Sequence, residues 1–483
     1  MTGENAARVG QLPALEHIFH PRSVAVVGAS PDVRRQGHNY LRAFQEYGYK
    51  GQLYAVNPNF SELLGMTCYP SILQIPGPLD YVISCIPAPL VPGLVSQCLE
   101  KGVKVAQLYS GRFSESGVQE RADLETEIKG LIRGRELRVI GPNCMGVYCP
   151  REGMCYKFNF PREAGPVGFF SQSGGNSVDF VYRASLRGVR FSKVVSYGNA
   201  CDLNESDFLE YFAQDPETKV ICGYVEGVKE GRRFLRLLQE TARTKPVILL
   251  KGGITEAGTR AVASHTGSLA GSDRVWEALC RQTGALAVRS LEEMADLAVA
   301  FLFLPPPQGR RLAVMGGGGG LSVQASDDCE EAGLVIPPLP QDLREALREK
   351  APETWFMIRN PVDASVIQDA KVFGEVIRQV AHHPAFDLIL GVVGEYWQLD
   401  RPQGMSQAHG VIDNFLALAQ DGGKPLAVVL GPSDATEDWR REFVNQERER
   451  CYRAGLPVFP TPGRAARALY RLLLYYQEVV SYT

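Results

Sequence analysis

The feature that most restricts how this chain can fold is a recurring alternation of short, wholly apolar runs with longer amphipathic stretches. Ser23–Val27, Tyr81–Cys85, Val220–Val225, Leu312–Met315 and Leu426–Leu430 are all runs of this kind. A strand that is apolar at every position, not at every second one, has to be covered on both faces. Helix-length segments between such strands supply the cover, so the pattern implies buried parallel sheets and an α/β class. At about 150 residues per domain, 483 residues suggest roughly three such units.

The rhythm divides the sequence. Strands are expected at Ser23–Val27, Gln52–Val56, Tyr81–Cys85, Lys104–Leu108 and Arg138–Ile140, which makes residues 1–145 a first, Rossmann-like domain. An irregular stretch, Cys144–Ala164, follows. Strands at Val167–Phe170, Ser192–Val195, Val220–Val225 and Pro246–Lys251 then define a second domain, 146–304. The run Pro305-Pro306-Pro307 is a linker signal. A third α/β unit, 305–483, holds strands at Leu312–Met315, Leu388–Val393, Leu426–Leu430 and Val458–Pro460.

Composition excludes several function classes. Fifty-one basic residues against 54 acidic leave a formal charge of -3, which gives no broad positive field, so no nucleic-acid partner is expected. The 11 cysteines are scattered with no C-x-x-C pair, which reads as reduced thiols in a cytoplasmic protein with no metal site. The first twenty residues lack the basic and apolar regions of a signal peptide. The longest strongly apolar stretch, Leu297–Leu304, falls far short of the ~20 residues a membrane span needs, so a soluble chain is expected.

Three strand–glycine–helix turns stand out: Gly28-Ala29-Ser30, Ser171-Gln172-Ser173-Gly174-Gly175, and Gly316 to Gly320. Each is expected to leave backbone N–H groups unpaired at the positive end of a helix, an arrangement suited to phosphate or carboxylate. Tight βα turns also use glycine for steric reasons alone. The first turn does not read as a nicotinamide site. It lacks a full G-x-G-x-x-G, and the second strand ends in Val56-Asn57-Pro58 where an acidic residue would be wanted for the ribose. No G-x-x-x-x-G-K-[ST] loop occurs.

Among seven histidines, His265 has the most telling surroundings, Ala263-Ser264-His265-Thr266-Gly267-Ser268-Leu269-Ala270-Gly271. These small residues describe an exposed loop. An imidazole there can attack phosphorus if a carboxylate fixes its tautomer. A lone histidine is otherwise a surface or capping residue. His38 follows the first glycine turn and is a weak candidate for lining a ligand. His17, His20, His382, His383 and His409 read as structural or solvated. Glu226 closes the strand ICGYVEG at the end where α/β sheets place their sites. On its own it reads as a solvated strand end, and its interest lies in a pairing with His265.

Taken together the motifs resemble the alpha subunit of the ADP-forming (NDP-forming) acyl-CoA synthetases, relatives of succinyl-CoA synthetase. IFHPRSVAVVGAS, VNPN, GPN followed by Cys144, SQSGG, FSKVVSYGNACD, YVEG, KPVILLKGG, SHTGSLAG and NPVD fall in the family's order over nearly the whole chain. The resemblance implies a CoA-binding first domain followed by two flavodoxin-like ligase domains. It also implies interconversion of acyl-CoA, phosphate and ADP with free acid, CoA and ATP. His265 then matches the phosphohistidine and Glu226 the carboxylate that orients it. Gly28, Ser30, Asn57, Pro87 and Asn143 match the CoA-binding turns. Ser171, Ser173, Gly174 and Gly175, with Gly317, Gly318 and Gly319, match two phosphate-binding helix starts. In the family the ADP-binding ATP-grasp portion is a separate subunit or a C-terminal extension. No such region is read before Thr483, so an ATP-grasp beta subunit carrying ADP/ATP with Mg2+, and hence a hetero-oligomer, is expected.

The sequence departs from the family's usual wording at four places, one being the glycine-only run 316–320, richer than the usual TNAGG-like form. Arg112 stands in a stretch normally built of small residues. Ala200 and Ile254 stand where cations are common. The alternative reading is a non-catalytic acyl-CoA-binding regulatory or scaffolding relative, which need not keep His265. The acid that forms the thioester is not legible.

Overall fold

The computed structural model describes residues 11–266, 272–367, 369–394, 402–431 and 437–482. Three sheets carry the fold. The first contains β1 (Ser23–Val27), β2 (Gln52–Val56), β3 (Glu62–Leu63), β4 (Met66–Tyr69), β5 (Tyr81–Ser84), β6 (Val105–Leu108) and β7 (Arg138–Ile140), in the order β3-β4-β2-β1-β5-β6-β7. Its helices are α1 (Gln11–Phe19), α2 (Gln36–Tyr47), α3 (Val91–Lys101) and α4 (Gln119–Ile132). All pairs along β4-β2-β1-β5-β6-β7 are parallel, and β1 and β5 are buried at every position, as their unbroken apolar sequences require.

The second sheet runs β13-β12-β11-β9-β10-β8. Its strands are β8 (Gly146–Tyr148), β9 (Ala164–Ser171), β10 (Phe191–Ser196), β11 (Val220–Val225), β12 (Val247–Lys251) and β13 (Leu286–Val288). Around it lie α5 (Gly174–Ser185), α6 (Glu205–Gln214), α7 (Gly231–Ala242), α8 (Glu256–Thr266) and α9 (Asp273–Thr283); α10 (Leu291–Phe303) follows and from Ala295 onward belongs to the other compact unit. Four short strands went unread in the sequence: β3 and β4 of the first sheet, and β8 and β13 here. β8 lies inside the stretch read as irregular and pairs antiparallel with β10, and β13 closes the other edge. Segments this short show no period, so only pairing reveals them.

The third sheet is β14 (Leu312–Gly316), β15 (Leu388–Val393), β16 (Leu426–Leu430) and β17 (Val458–Phe459), parallel throughout and in chain order. It is packed by α11 (Gly319–Glu331), α12 (Gln341–Lys350), α13 (Ala370–His382), α14 (Pro402–Asp421), α15 (Asp438–Arg453) and α16 (Pro462–Tyr482). Its core joins Val376, Ile377 and Val380 of α13 to Ile412 and Phe415 of α14 over the β15 and β16 strands. Removing one such aromatic typically costs about 3–5 kcal/mol.

By contacts the chain forms two compact units. One is Met1–Ser185 with Arg190–Met294, holding the first two sheets, and the other is Leu186–Val189 with Ala295–Thr483, holding the third.

Candidate active site

In the first sheet the residues expected at a CoA site lie along one edge. Gly28 follows β1, Asn57 follows β2, Pro87 follows β5 and Asn143 follows β7, all at the C-terminal ends of strands that run the same way. That edge is where open α/β sheets bind ligands. Gly28 has φ +86°, and a Cβ there would stand 2.9 Å from the Cys85 carbonyl oxygen, so no other residue fits. The expectation of free amides fails at this turn. The N–H groups of Gly28 and Ala29 both donate to the Val56 carbonyl, at 3.0 and 3.2 Å, because β2 extends alongside. Asn57 is a staple between turns, its Nδ2 donating to the Ala29 carbonyl at 2.7 Å and its Oδ1 accepting from the Asn59 N–H at 2.9 Å. Ser30 Oγ accepts from the Asp32 N–H, and the Ser30 carbonyl meets His38 Nδ1 at 3.1 Å. Pro87 caps a 3-10 turn, and Asn143 sits at φ +58° with its N–H on the Ser110 carbonyl.

The same edge logic assembles a second set of groups. Ser171, Tyr197, Glu226 and Gly252 stand at or just past the C-terminal ends of β9, β10, β11 and β12, which are parallel neighbours. The ladder continues past the strands and locks them in register: Tyr197 N–H to Ser171 carbonyl at 2.9 Å, Gln172 N–H to Tyr224 carbonyl at 3.1 Å, Gly252 N–H to Val225 carbonyl at 2.9 Å. Ser171 Oγ donates to the Ser173 carbonyl, and Ser173 Oγ accepts from the Asn176 N–H, which starts α5. The amides of Gly174 and Gly175 fall in its first turn, where no carbonyl lies one turn back to take them. Gly174 also sits tightly, since a Cβ would lie 2.9 Å from Met145 Cγ and push that side chain aside. Met145 in turn donates its N–H to Ser196 Oγ at 3.2 Å. The loop carrying Asn143 therefore abuts the start of α5.

Glu226 is not a solvated strand end. Only 5% of it is exposed. Its N–H and that of Gly227 donate to Gln172 Oε1 at 2.9 and 3.2 Å, and Tyr224 Oη donates to its Oε1 at 3.2 Å. Its Oε2 is buried with no partner among the described residues. Gly252 makes room beside it, because a Cβ there would be 3.2 Å from Glu226 Cγ. The Lys251 ammonium ties the two strand ends, donating to the carbonyls of Glu226 at 3.0 Å and Gly252 at 2.7 Å. Burial lowers its pKa, opposed by the nearby charges of Glu226 and Asp273.

His265 lies in the last turn of α8, so its residue is helical, not part of a loop from Ala263 onward. Ala261 and Ala263 are strong helix formers and carry the helix through Ser264 and His265 up to Gly267. Its side chain, and residues 267–271, lie outside the described residues. α8 packs against the 3-10 turn Ser114–Ser116 before α4, which brings the histidine-bearing helix to the first domain's edge.

The third turn is described within its own unit. Gly316 and Gly317 take φ +100° and +66° and spend their N–H groups on the Val362 and Val392 carbonyls, while Gly318 is the N-cap of α11. Asp363 Oδ2 lies 3.6 Å from where a Gly319 Cβ would stand, so this helix start already faces a carboxylate.

The departures have distinct structures. Arg112 is exposed at φ +71°, and its N–H and that of Phe113 donate to the two oxygens of Glu115 at 2.5 and 3.1 Å. Ala200 is buried at φ +55°, and Ile254 is exposed. Sequence reasoning missed Tyr197, Asn199 and Glu205, all buried at this edge. Asn204 and Asp207 form a capping box on α6, and that signature hides the Glu205 between them.

Comparison with known proteins agrees with this layout. The family described as a CoA binding domain matches residues 22–150, and the family described as a succinyl-CoA ligase like flavodoxin domain matches 164–301. The alpha subunit of ADP-forming acetate–CoA ligase I from Pyrococcus furiosus is 35% identical over 94% of this chain and 96% of its own length. The chain belongs to the family of ADP-forming acyl-CoA ligases. The ADP-forming acetate–CoA ligase I of Archaeoglobus fulgidus is also 35% identical over 94% of this chain, which spans only 63% of that protein. A solved acetyl-CoA synthetase 1 from Candidatus Korarchaeum cryptofilum, in complex with phosphate and ADP, superposes with a TM-score of 0.81 at 31% identity, covering 97% of this chain and 98% of that one. In this chain the CoA-binding module precedes the flavodoxin-like one. No described helix is long and apolar enough to cross a membrane.

Proposed function

We propose that this chain forms the acyl phosphate and phosphohistidine half of an ADP-forming acyl-CoA synthetase. Residues 1–145 hold CoA, 146–304 carry the phosphorylated histidine, and 305–483 form a further ligase module. Phosphate oxygen attacks the thioester carbonyl of acyl-CoA, the C–S bond breaks, and CoA leaves as thiol with one proton. His265 nitrogen then attacks phosphorus of the acyl phosphate and the P–O bond to the acyl group breaks, which releases the free acid. The phosphoryl group passes to ADP on an ATP-grasp beta subunit that supplies Mg2+. Among the described residues no group of three or more His, Cys, Asp or Glu side chains gathers to hold a metal ion.

The observation that carries this reading is Glu226. A buried carboxylate oxygen without a partner among the described residues, beside the start of α5 and beside the strand that leads into α8, supports a role in orienting an imidazole and balancing its charge. The open first-turn amides of Gly174 and Gly175 suit the phosphate. Eleven free cysteines, all but Cys85 buried, support a reducing, cytoplasmic setting.

The test is labelling of the chain with radioactive phosphate and a panel of acyl-CoA thioesters. An acid-labile, base-stable label that His265→Asn removes, with folding intact, supports the reading. A label that survives that substitution overturns the assignment of His265, and no label with any thioester overturns the reading in favour of a non-catalytic acyl-CoA-binding subunit.

A further inference from the structure

One main-chain carbonyl, that of Met145, takes two buried donors from the first domain. Tyr40 Oη on α2 donates to it at 2.6 Å and Gln107 Nε2 on β6 at 3.2 Å. The Gln107 amide also donates to Tyr40 Oη at 2.9 Å, and its Oε1 accepts from Tyr81 Oη on β5 at 2.8 Å. All three side chains are at most 1% exposed. Gly146 lets Gln107 come this close, since a Cβ there would stand 2.0 Å from the Gln107 Cδ. Displacing Met145 would leave buried donors of this network unpaired, which is costly in a dry interior. Burial holds the Tyr40 hydroxyl well above the ordinary tyrosine range, so it stays a donor at any working pH.

The other side of Met145 meets the second domain. Its N–H donates to Ser196 Oγ at 3.2 Å. Its Cγ lies 2.9 Å from where a Gly174 Cβ would stand, and Ser196 Oγ lies 3.7 Å from the same point. Met145 is thus clamped between the buried network and the first residue of α5. We infer that Tyr40 and Gln107 are positioning residues for phosphate, fixing Met145 and through it the place at which α5 presents the Gly174 and Gly175 amides. This rests on the reading of that turn as the phosphate site. Both side chains act through Met145 and not on the ligand.

Tyr40 takes its own position from the turn read as a CoA site. α2 starts hard against that turn, where a Gly37 Cβ would lie 2.1 Å from the Gly28 carbonyl oxygen and His38 Nδ1 meets the Ser30 carbonyl at 3.1 Å. Tyr40 follows Gly37 by less than one helical turn. One rigid helix therefore references the start of α5 to the Gly28 turn. A displaced α5 start weakens the hold on phosphate in the ground and transition states alike. The loss then falls on the phosphate concentration needed and not on the rate at saturation.

The experiment uses the full chain, labelled with radioactive phosphate over a range of concentrations at saturating acyl-CoA, beside calorimetric titration of inorganic phosphate. Tyr40→Phe keeps the ring and removes the shorter donor. It should raise the phosphate needed for half-maximal labelling about tenfold, as loss of one buried hydrogen bond does, with the saturated rate within about twofold. Gln107→Met removes the longer donor and should raise that requirement about threefold. Tyr49→Phe is the control, because it removes a bond of the same kind, from Tyr49 Oη to the Pro21 carbonyl at 2.7 Å, just before β1 and away from Met145. It should leave the phosphate requirement unchanged. An unchanged requirement in folded Tyr40→Phe, or in Gln107→Met should Tyr40→Phe not fold, overturns the inference, and so does an equal rise in Tyr49→Phe. Calorimetric phosphate binding that Tyr40→Phe weakens, on a chain that takes no label, upholds the positioning role and overturns the histidine reading. Neither binding nor label overturns both.

Discussion

The side-chain amide of Asn199 donates to Glu115 Oε2 at 2.6 Å and to Glu125 Oε2 at 3.3 Å, so a loop after β10 holds together two carboxylates around the Ser114–Ser116 turn. Gly198 wedges beside it at φ +60°, where a Cβ would stand 2.2 Å from the Pro142 carbonyl oxygen, and the Asn199 N–H bonds that same carbonyl at 3.0 Å. The histidine-bearing helix packs on this turn, so the junction sets where His265 can go.

Asn199→Asp should break the junction, because it sets a third carboxylate against Glu115 and Glu125. A loss of about 1–3 kcal/mol is expected in denaturant unfolding at neutral pH. Burial raises the pKa of Glu125, but Ser114, Lys129 and Asn199 outweigh it and hold the carboxyl below its ordinary value. A depressed carboxyl stabilises above its unfolded pKa and loses that contribution as pH falls through the folded one. The defect of Asn199→Asp should therefore shrink in acid. A defect that grows in acid would contradict the assignment.

Glu205 has the opposite sign. Its folded pKa, about 7 against 4.5 for the free group, means the folded state holds a proton that the unfolded chain has already lost between those values. Stability should decline from pH 4.5 to 7 by up to about 3 kcal/mol from this one group. Glu205→Gln should melt higher than the wild type at pH 8 and close to it at pH 4.5. Equal melting-temperature differences at both pH values would argue against a buried neutral carboxyl.

Lys251→Met removes the ammonium that closes the β11 and β12 ends over the Glu226 and Gly252 carbonyls. Two carbonyls lose a charged donor and Glu226 loses its fixed backbone. Phosphohistidine labelling should drop about tenfold with little change in the phosphate concentration needed. Glu226→Gln should lower labelling further, by about a hundredfold, as neutralising an orienting carboxylate does. Wild-type labelling in either variant would remove Glu226 from the site.

Arg112→Gly tests strain. A non-glycine residue at φ +71° costs about 1–2 kcal/mol, partly offset by the greater freedom glycine has when unfolded. A net gain near 1 kcal/mol is expected in unfolding, with the Glu115 carboxylate still receiving both amides. No gain would mean the guanidinium has a compensating contact when the chain is at work.

Calorimetry should show CoA binding to the first domain's edge and no response to NAD. The Asn57 side chain, tied to Ala29 and Asn59, cannot take a ribose as an acidic residue would. Tight NAD binding without a CoA signal would contradict this.

The sequence by itself determined the α/β class, the strands long enough to show unbroken apolar runs, and the strand-end location of Gly28, Asn57, Ser171 and Glu226. These depend on local composition: a run with no polar face must be buried on both sides, and glycine marks a turn wherever the chain runs on. Only the tertiary structure decided which groups are spent and which are open. Gly28 and Ala29 looked like free donors until β2 was seen to bring the Val56 carbonyl to them. Glu226 read as solvated, yet it is buried because β12 and Gly252 close over it. Glu205 was hidden inside a capping signature, since a pattern of neighbours along the chain says nothing about how deeply the side chain is buried. Burial and partner choice are set by residues distant in sequence, and the pKa of a carboxyl depends on those surroundings and not on its neighbours in the chain.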